Sequence, residues 1–422
     1  MLDRILLGSS GDSYFLSRPR DTDNTFGVDT REYVQPLFVD GAGTISVCAA
    51  QYDFLNGVGP FTLSRFTDTG ATSLSKQINV SLRGQTMTRD SAGNYYIASV
   101  ANGTTFYLYK LDANGAMLWQ KVITTPSSTV NINGIRVDST DANVYICGTR
   151  TVSATGYAFL VKITSAGTHS FTRVASTSSQ FNSMALDSSN NIYCCGYFGS
   201  SGGLLVMKFT STGTTSFTRR YYLSTGSTSV LGFGCGIACD NSFIYVTGTF
   251  NSLVHVVKMN LTGVIQWSRY ANITSPWREA PIGVGYDSSG NVYMGQGNGS
   301  NAFALFKFDS AGTLLWQRQT SMNSMGIGSE SIIVKNNILY VAATSYDGMG
   351  GASGIVIFKL PPNGSLTNGS TYISASYTVA AAPATINQAA VTVTMGTTAF
   401  TIANASNTVT NDNIYLDKVT NL

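Results

Sequence analysis

The chain predicts an all-β fold, a seven-bladed β-propeller with an N-terminal arm and a C-terminal β-rich extension. Three observations lead there. A pattern of short alternating strands and polar turns recurs seven times, with successive turn glycines 45 residues apart at the shortest (Gly70 to Gly115) and 52 at the longest (Gly115 to Gly167). Charged residues make up only 11% of 422 residues, while Gly, Tyr and Phe are abundant, as in turn-rich β proteins. One repeat cannot bury both faces of its sheet, so seven must pack side by side.

Residues 1–35 lie outside the repeat. They hold closely spaced charges of both signs (Asp3, Arg4, Asp12, Arg18, Arg20, Asp21, Asp23, Asp29, Arg31 and Glu32). Gly8, Gly11 and Pro19 interrupt any long element. This reads as an anchoring arm with one or two short strands that packs on something other than its own core, with Arg4, Arg18, Arg20 and Arg31 as candidate anchoring residues.

Residues 36–370 form the propeller. Each repeat opens with a strand that ends at an Asp: Asp40, Asp90, Asp138, Asp187, Asp240 and Asp287, with Lys335 in the seventh. A polar hairpin turn follows, as in Asp90-Ser-Ala-Gly-Asn94. The second strand carries a Tyr column, Tyr96, Tyr145, Tyr193, Tyr245, Tyr293 and Tyr340. The third ends on a basic residue with Gly five places later: Arg65/Gly70, Lys110/Gly115, Lys162/Gly167, Lys208/Gly213, Lys258/Gly263, Lys307/Gly312 and Lys359/Gly364. The fourth has a large apolar column (Leu74, Trp119, Phe171, Phe217, Trp267, Trp316), followed two places on by Lys76, Lys121, Arg173, Arg219, Arg269 and Arg318. The last repeat lacks that apolar–basic pair. Its outer strand comes either from residues 371–379 or from the N-terminal arm.

Residues 371–422 have one Gly and three charges, Asp412, Asp417 and Lys418. Ala390-Val-Thr-Val-Thr-Met395 and Thr398-Ala-Phe-Thr-Ile402 alternate as strands do. With few large side chains, this extension lies on the propeller or pairs with partner chains.

Composition narrows function. A net charge of +3 without a Lys/Arg run argues against nucleic acid. No stretch approaches the roughly 20 apolar residues of a membrane helix, and Met1–Gly8 does not resemble an export signal. Of the six cysteines, Cys48, Cys147 and Cys195 share a repeat position with Ala98, Thr247, Gly295 and Ala342. A column that demands small side chains predicts free buried thiols rather than disulfides or a zinc set, as does the lack of a second pair beside Cys235 and Cys239.

Nothing in the sequence assembles an active site, and the expectation is that the chain is not an enzyme, with no catalytic residues, cofactor or metal. Thirteen of the 25 basic residues fall in two repeat columns, and recurrence in every blade marks scaffold. The two histidines, His169 and His255, fall in different repeats. Asp309-Ser-Ala-Gly312-Thr-Leu-Leu-Trp316 approaches the Asp-containing turn of sialidases but has the wrong spacing. A polysaccharide-cleaving glycosidase would need paired carboxylates, and only Asp53, Glu279, Glu330 and Asp347 lie in or near the variable loops.

Loop lengths vary between strands two and three and between blades, and hardly at all in the other two turns. The variable loops are therefore the candidate binding face. They hold Tyr52, Phe54, Tyr197, Phe198, Tyr221, Tyr222, Tyr270, Trp277 and Tyr346, rings suited to sugar or protein contact.

The repeat from Asp287-Ser-Ser-Gly-Asn-Val-Tyr293 to Gly312-Thr-Leu-Leu-Trp-Gln-Arg318 resembles the bacterial β-propeller repeats called SBBP repeats. Gly8-Ser-Ser-Gly-Asp-Ser-Tyr-Phe-Leu-Ser-Arg-Pro19 resembles the start of phage tail-tip and tail-fibre proteins, although Arg20 stands where Gly is usual. Lys359-Leu-Pro-Pro-Asn-Gly-Ser-Leu-Thr367 and the tail after it resemble virion proteins of tailed marine phages. These resemblances imply a virion structural protein of a tail or tail fibre, made in the host cytoplasm and present in multiple copies. Its partners would be other tail proteins and a host-surface glycan or protein. The alternative is a bacterial cell-surface propeller that binds carbohydrate or protein.

Overall fold

The structure, a computed structural model, describes residues 37–364 apart from 54–58, 69–70, 127–128, 200–201, 224–234, 251–252, 272–281, 299–301, 321–324 and 347–352, together with short strands of the two flanking segments. All regular elements among the described residues are strands, and they build the seven blades of a β-propeller, blades one and two being joined in one ten-stranded sheet. Blade three shows the plan: Thr129–Val137, Asn143–Val152, Thr155–Thr164 and His169–Ala175 form an antiparallel meander. Strand Thr72–Arg89 ends blade one and runs on to begin blade two.

The turn between strands three and four explains the most rigid column. The first residue of the turn accepts, through its carbonyl, the N–H of the Gly three places on, as Thr164 does for Gly167 and Thr210 for Gly213. The Gly then takes a positive φ, +84° at Gly167 and +80° at Gly213, and the register slips beside the basic residue (Lys162/Ile163, Lys208/Phe209). This is a type I turn closed by a glycine bulge, and it fixes the loop length.

Two compact units divide the chain. One comprises residues 84–272 and 381–407; the other comprises 1–83, 273–380 and 408–422. In the first unit, blades two to five bury continuous apolar layers between neighbouring sheets. Tyr96, Phe106, Ile146 and Phe159 lie in one such layer, Leu160, Phe181, Cys194 and Phe209 in the next, and Tyr193, Val206, Ile244 and Met259 in a third. In the second unit the last blade packs on the first: Tyr340, Ala342 and Ile357 bury against Leu37, Ile45, Val47 and Phe66.

The arm is drawn into these sheets. Ser13–Ser17 pairs antiparallel with Ser353–Leu360, from Ser13 opposite Lys359 to Ser17 opposite Ile355, and so supplies the fourth strand of blade seven. Phe26–Val28 pairs with Gln51–Asp53 of blade one. This corrects the expectation that the arm packs away from its own core. Of its two candidates, the seventh blade uses the arm and not residues 371–379. The physical reason is the missing apolar–basic strand after Gly364, which leaves the edge of strand Ser353–Leu360 open.

The tail forms a backward belt. Its short strands add in turn to the outermost strands of blades six, five, four, three, two and one. Ile373–Ser374 pairs with Gln319–Thr320, Ala381–Pro383 with Arg269–Ala271, and Ile386–Ala390 with Arg219–Leu223. Met395–Gly396 pairs with Val174–Ala175, Thr401–Asn404 with Lys121–Thr124, and Val409–Asn411 with Lys76–Ile78. Finally Lys418–Val419 lies parallel to Ile5–Leu6 of the arm. The extension therefore pairs in cis. Of the alternating segments 390–395 and 398–402, the described residues fall in strands Ile386–Ala390, Met395–Gly396 and Thr401–Asn404, and the rest lie outside the described residues.

Unpaired sheet edges expose rows of backbone donors and acceptors and invite aggregation. Deleting residues 371–422 is expected to lower the urea unfolding midpoint and to promote association of the folded chain. Equilibrium denaturation and sedimentation check this; an unchanged midpoint in a monomeric truncated chain contradicts the belt.

Candidate functional site

The repeated charges join blade to blade. Lys110 Nζ in blade two donates to the Ser165 carbonyl in the turn of blade three, at 3.2 Å. Lys162 does the same to Ser211 at 3.0 Å, Lys208 to Leu261 at 3.4 Å, Lys307 to Pro362 at 2.8 Å and Lys359 to Asp68 at 2.9 Å. Every acceptor stands two residues before the turn glycine of the following blade. Each Lys also lies over the Tyr of its own blade, as Lys110 over Tyr96 at 5.0 Å and Lys307 over Tyr293 at 5.1 Å. A charged donor on a carbonyl contributes about 1.5–3 kcal/mol, and the ring beneath adds about 0.5–2 kcal/mol.

The other columns complete the same contact. Trp119 Nε1 donates to Ser165 O and Trp316 Nε1 to Pro362 O, both at 3.1 Å. Arg173 Nε donates to Gly213 O at 3.1 Å, and Arg318 Nε to Gly364 O at 2.9 Å. Gly213, Gly263 and Gly364 lie against the aromatic column of the preceding blade, a Cβ on Gly213 coming 2.7 Å from the Phe171 ring, while Gly167 lies against the Lys121 stem. That position thus needs Gly both for its φ and for its neighbour.

The Asp column caps its own turn. Asp287 Oδ1 accepts the N–H groups of Ser289 and Asn291, and Oδ2 accepts the Asn291 amide at 2.8 Å and the Tyr293 hydroxyl at 2.9 Å. Lys307 Nζ lies 3.8 Å away. Burial opposes ionisation of Asp287, but the hydrogen bonds and Lys307 outweigh it and hold the carboxyl below the usual range. Asp138 has the same balance, with Asn143 and Thr140 as side-chain donors. Burial, then the bond to Asp287, pushes the Tyr293 hydroxyl up. Asp309, in the sialidase-like stretch, is also a turn cap: its Oδ1 accepts N–H from Ala311 and Thr313, at 2.9 and 2.7 Å. Thr164 and Thr210 make the corresponding bond in their turns.

What lies outside these columns is the candidate site. At the end of blade four, Phe198 and Tyr222 are brought together around Arg220. Its guanidinium sits 6.0 Å from the Phe198 ring centre and 4.7 Å from that of Tyr222. Arg220 Nε donates to Gly202 O at 2.5 Å, pinning the loop whose Gly199, Gly202 and Gly203 all have positive φ. All three side chains are half-buried. The result is a braced stack of two rings and a cation, suited to lying against a sugar ring or a flat protein surface.

The other predicted aromatics scatter. Tyr197 packs partly into the layer between blades four and five. Tyr221 is fully buried and its hydroxyl donates to Gly263 O at 2.7 Å, so it belongs to the blade interface and not to the candidate binding loops. The cause is strand alternation, which turns Tyr221 inward between Arg220 and Tyr222. Tyr270 is half-buried against His255, with ring centres 5.6 Å apart. Tyr52 and Tyr346 are placed only as strand positions, opposite Gly27 and Ser353. Phe54, Trp277, Arg4, Arg18, Arg20 and Arg31 lie outside the described residues, as do Glu279 and Asp347. Arg220 was missed from sequence because Arg219 beside it fills the repeat column; an Arg one place out of column is the signal that would have found it.

His169 is exposed and within 2.9 Å of Thr172 Oγ1, while His255 is buried in another blade. Among the described residues no three His, Cys, Asp or Glu side chains gather as a metal site would require. All six cysteines are buried free thiols.

No family model matches the sequence, and no curated protein does. Among solved structures, the WD40 domain of Toxoplasma gondii coronin is similar at 9% identity, over 85% of this chain and 91% of that one, with a TM-score of 0.47. The Dos1 propeller is similar at 10% identity, over 82% and 95%, with a TM-score of 0.48. A Bacteroides caccae protein of unknown function is similar at 14% identity, over 69% and 94%, with a TM-score of 0.38. Likeness at this level carries nothing about ligands.

Two outcomes follow. Gly213→Ala is expected to cost about 2 kcal/mol or more, from backbone strain plus overlap with Phe171. In a double-mutant cycle Phe171→Ala should recover part of that cost; full additivity in urea titrations would show that the ring is not the obstacle. Asp138 and Asp287 stabilise the fold fully above their unfolded pKa of about 3.9, and that contribution is lost as pH falls through their lower folded values. The unfolding midpoint should therefore drop as pH falls below about 4, and Asp287→Asn should flatten the drop.

Proposed function

We propose that this chain is a non-catalytic structural and binding protein of a bacteriophage tail or tail fibre, with its propeller displayed for host-surface adhesion or tail assembly. The observation that carries the binding role is the division of labour among polar side chains. The recurring Asp, Lys and Arg columns are spent on turns and blade junctions, while the braced Phe198–Arg220–Tyr222 stack stands outside the repeat at a variable-loop end.

The tail assignment is supported by the resemblance of Gly8–Pro19 and of Lys359–Thr367 to virion proteins. Strand Ser13–Ser17 is taken up by blade seven, so attachment to neighbouring tail proteins is assigned to the arm outside its described strands, where Arg4, Arg18, Arg20 and Arg31 fall. Assembly in the host cytoplasm and multiple copies per particle belong to the same proposal.

Gold-labelled antibody against the purified chain is expected to mark the tails of phage particles from a culture carrying this gene. Label confined to the bacterial envelope would overturn the tail assignment in favour of a cell-surface propeller. For the site, Tyr222→Ser is expected to reduce adsorption of the purified chain to host cells at least about tenfold, about 1.4 kcal/mol, without moving the unfolding midpoint. Adsorption equal to the parent's places binding elsewhere.

A further inference from the structure

We infer that Cys195 and Cys235 form a latent redox site, a dithiol that converts to a disulfide joining blades four and five when the chain meets an oxidising medium. Their sulfurs lie 2.9 Å apart in a buried contact, roughly 0.9 Å beyond an S–S bond of about 2.05 Å. Two different blades supply them. Cys195 lies in strand Ile192–Phe198, opposite Val206, and Cys235 immediately precedes Gly236. Gly236 is fixed by two bonds to Thr247: its N–H donates to Thr247 Oγ1 at 3.1 Å, and its carbonyl accepts the Thr247 N–H at 3.0 Å. Thr247 is the blade-five residue of the same small column that holds Cys195. The backbone on both sides of the contact is thus held by sheet bonding.

The geometry selects this pair. Cys194 and Cys195 follow one another in a strand and face opposite sides: Cys194 lies in the layer between blades three and four, Cys195 in that between four and five. Cys235 and Cys239 share the layer of Cys195, but Cys239 Sγ is directed to the Asp240 carbonyl at 3.0 Å. In the reaction the two thiols lose two protons and two electrons as the Sγ–Sγ bond forms. A small-molecule disulfide is the oxidant; its S–S bond breaks and it leaves as two thiols. The bond would close a loop of 40 residues (235 − 195), a length at which crosslinking removes substantial freedom from the unfolded chain. This inference stands independently of the proposed function.

The test incubates the full chain with glutathione disulfide, both folded and during refolding from urea. Samples are quenched in acid, unfolded, alkylated and digested without reduction. The expected result is a crosslinked Cys195–Cys235 peptide pair, two hydrogens lighter than the sum of its thiol forms, with the other four cysteines alkylated. Recovery of Cys195 and Cys235 as alkylated thiols from both samples overturns the proposal, as does a link through Cys194 or Cys239. The thermal midpoint of the oxidised chain should rise by roughly 5 °C; a fall would show a link made only by distorting the blades, and would also overturn it. Cys235→Ser should abolish the crosslink and the rise together.

Discussion

The contact on which this fold depends is the lysine ammonium lodged between its own tyrosine ring and a main-chain carbonyl of the next blade. It links two levels of structure. The carbonyl is free to accept because the turn that carries it is a fixed type I turn with a glycine bulge. The turn glycine lets the outer strand of the preceding blade come close with no Cβ between, through an aromatic ring at Gly213, Gly263 and Gly364 and through the Lys121 stem at Gly167. Each column of the repeat is therefore a condition on the others. Buried lysines are costly unless paired; Lys307 shows the balance, its pKa lowered by burial and held up by Asp287.

Blade junctions alone leave the outer edges of the sheets open, and the flanking segments deal with those edges. The arm completes the blade whose own fourth strand is missing. The tail then passes along the remaining blades in reverse order, spending two to five residues on each. Main-chain pairing of this kind makes little demand on side chains, which accounts for a tail so poor in charge and large residues. Residues 5–6 and 418–419 pair side by side.

A scaffold that uses its repeated charges internally has its distinctive chemistry where the repeat lapses. Arg220 illustrates the point. Arg219, in column, sits over the in-column Phe217 ring of its own strand. Arg220, one place on, faces the other way and braces two aromatics near strand ends, Phe198 and Tyr222. The Cys195–Cys235 contact has the same origin: a column position filled by Cys meets a cysteine that no other blade has in that place.

The seven blades, their strand order and the scaffold role of the repeated Asp, Lys, Gly and Arg are legible in the sequence. Periodicity of two and recurrence of a turn are local properties, readable wherever the chain repeats them. So is the small column in which Cys48, Cys147 and Cys195 are buried. That Tyr221 points inward while Tyr222 stacks on Arg220, that the arm closes blade seven, that the tail is a belt and that two thiols meet emerges from the assembled blades alone. Those depend on which edges are left open and which residues fall opposite one another across separate blades. Main-chain pairing and contacts between distant strands leave no periodic trace in the residues that make them.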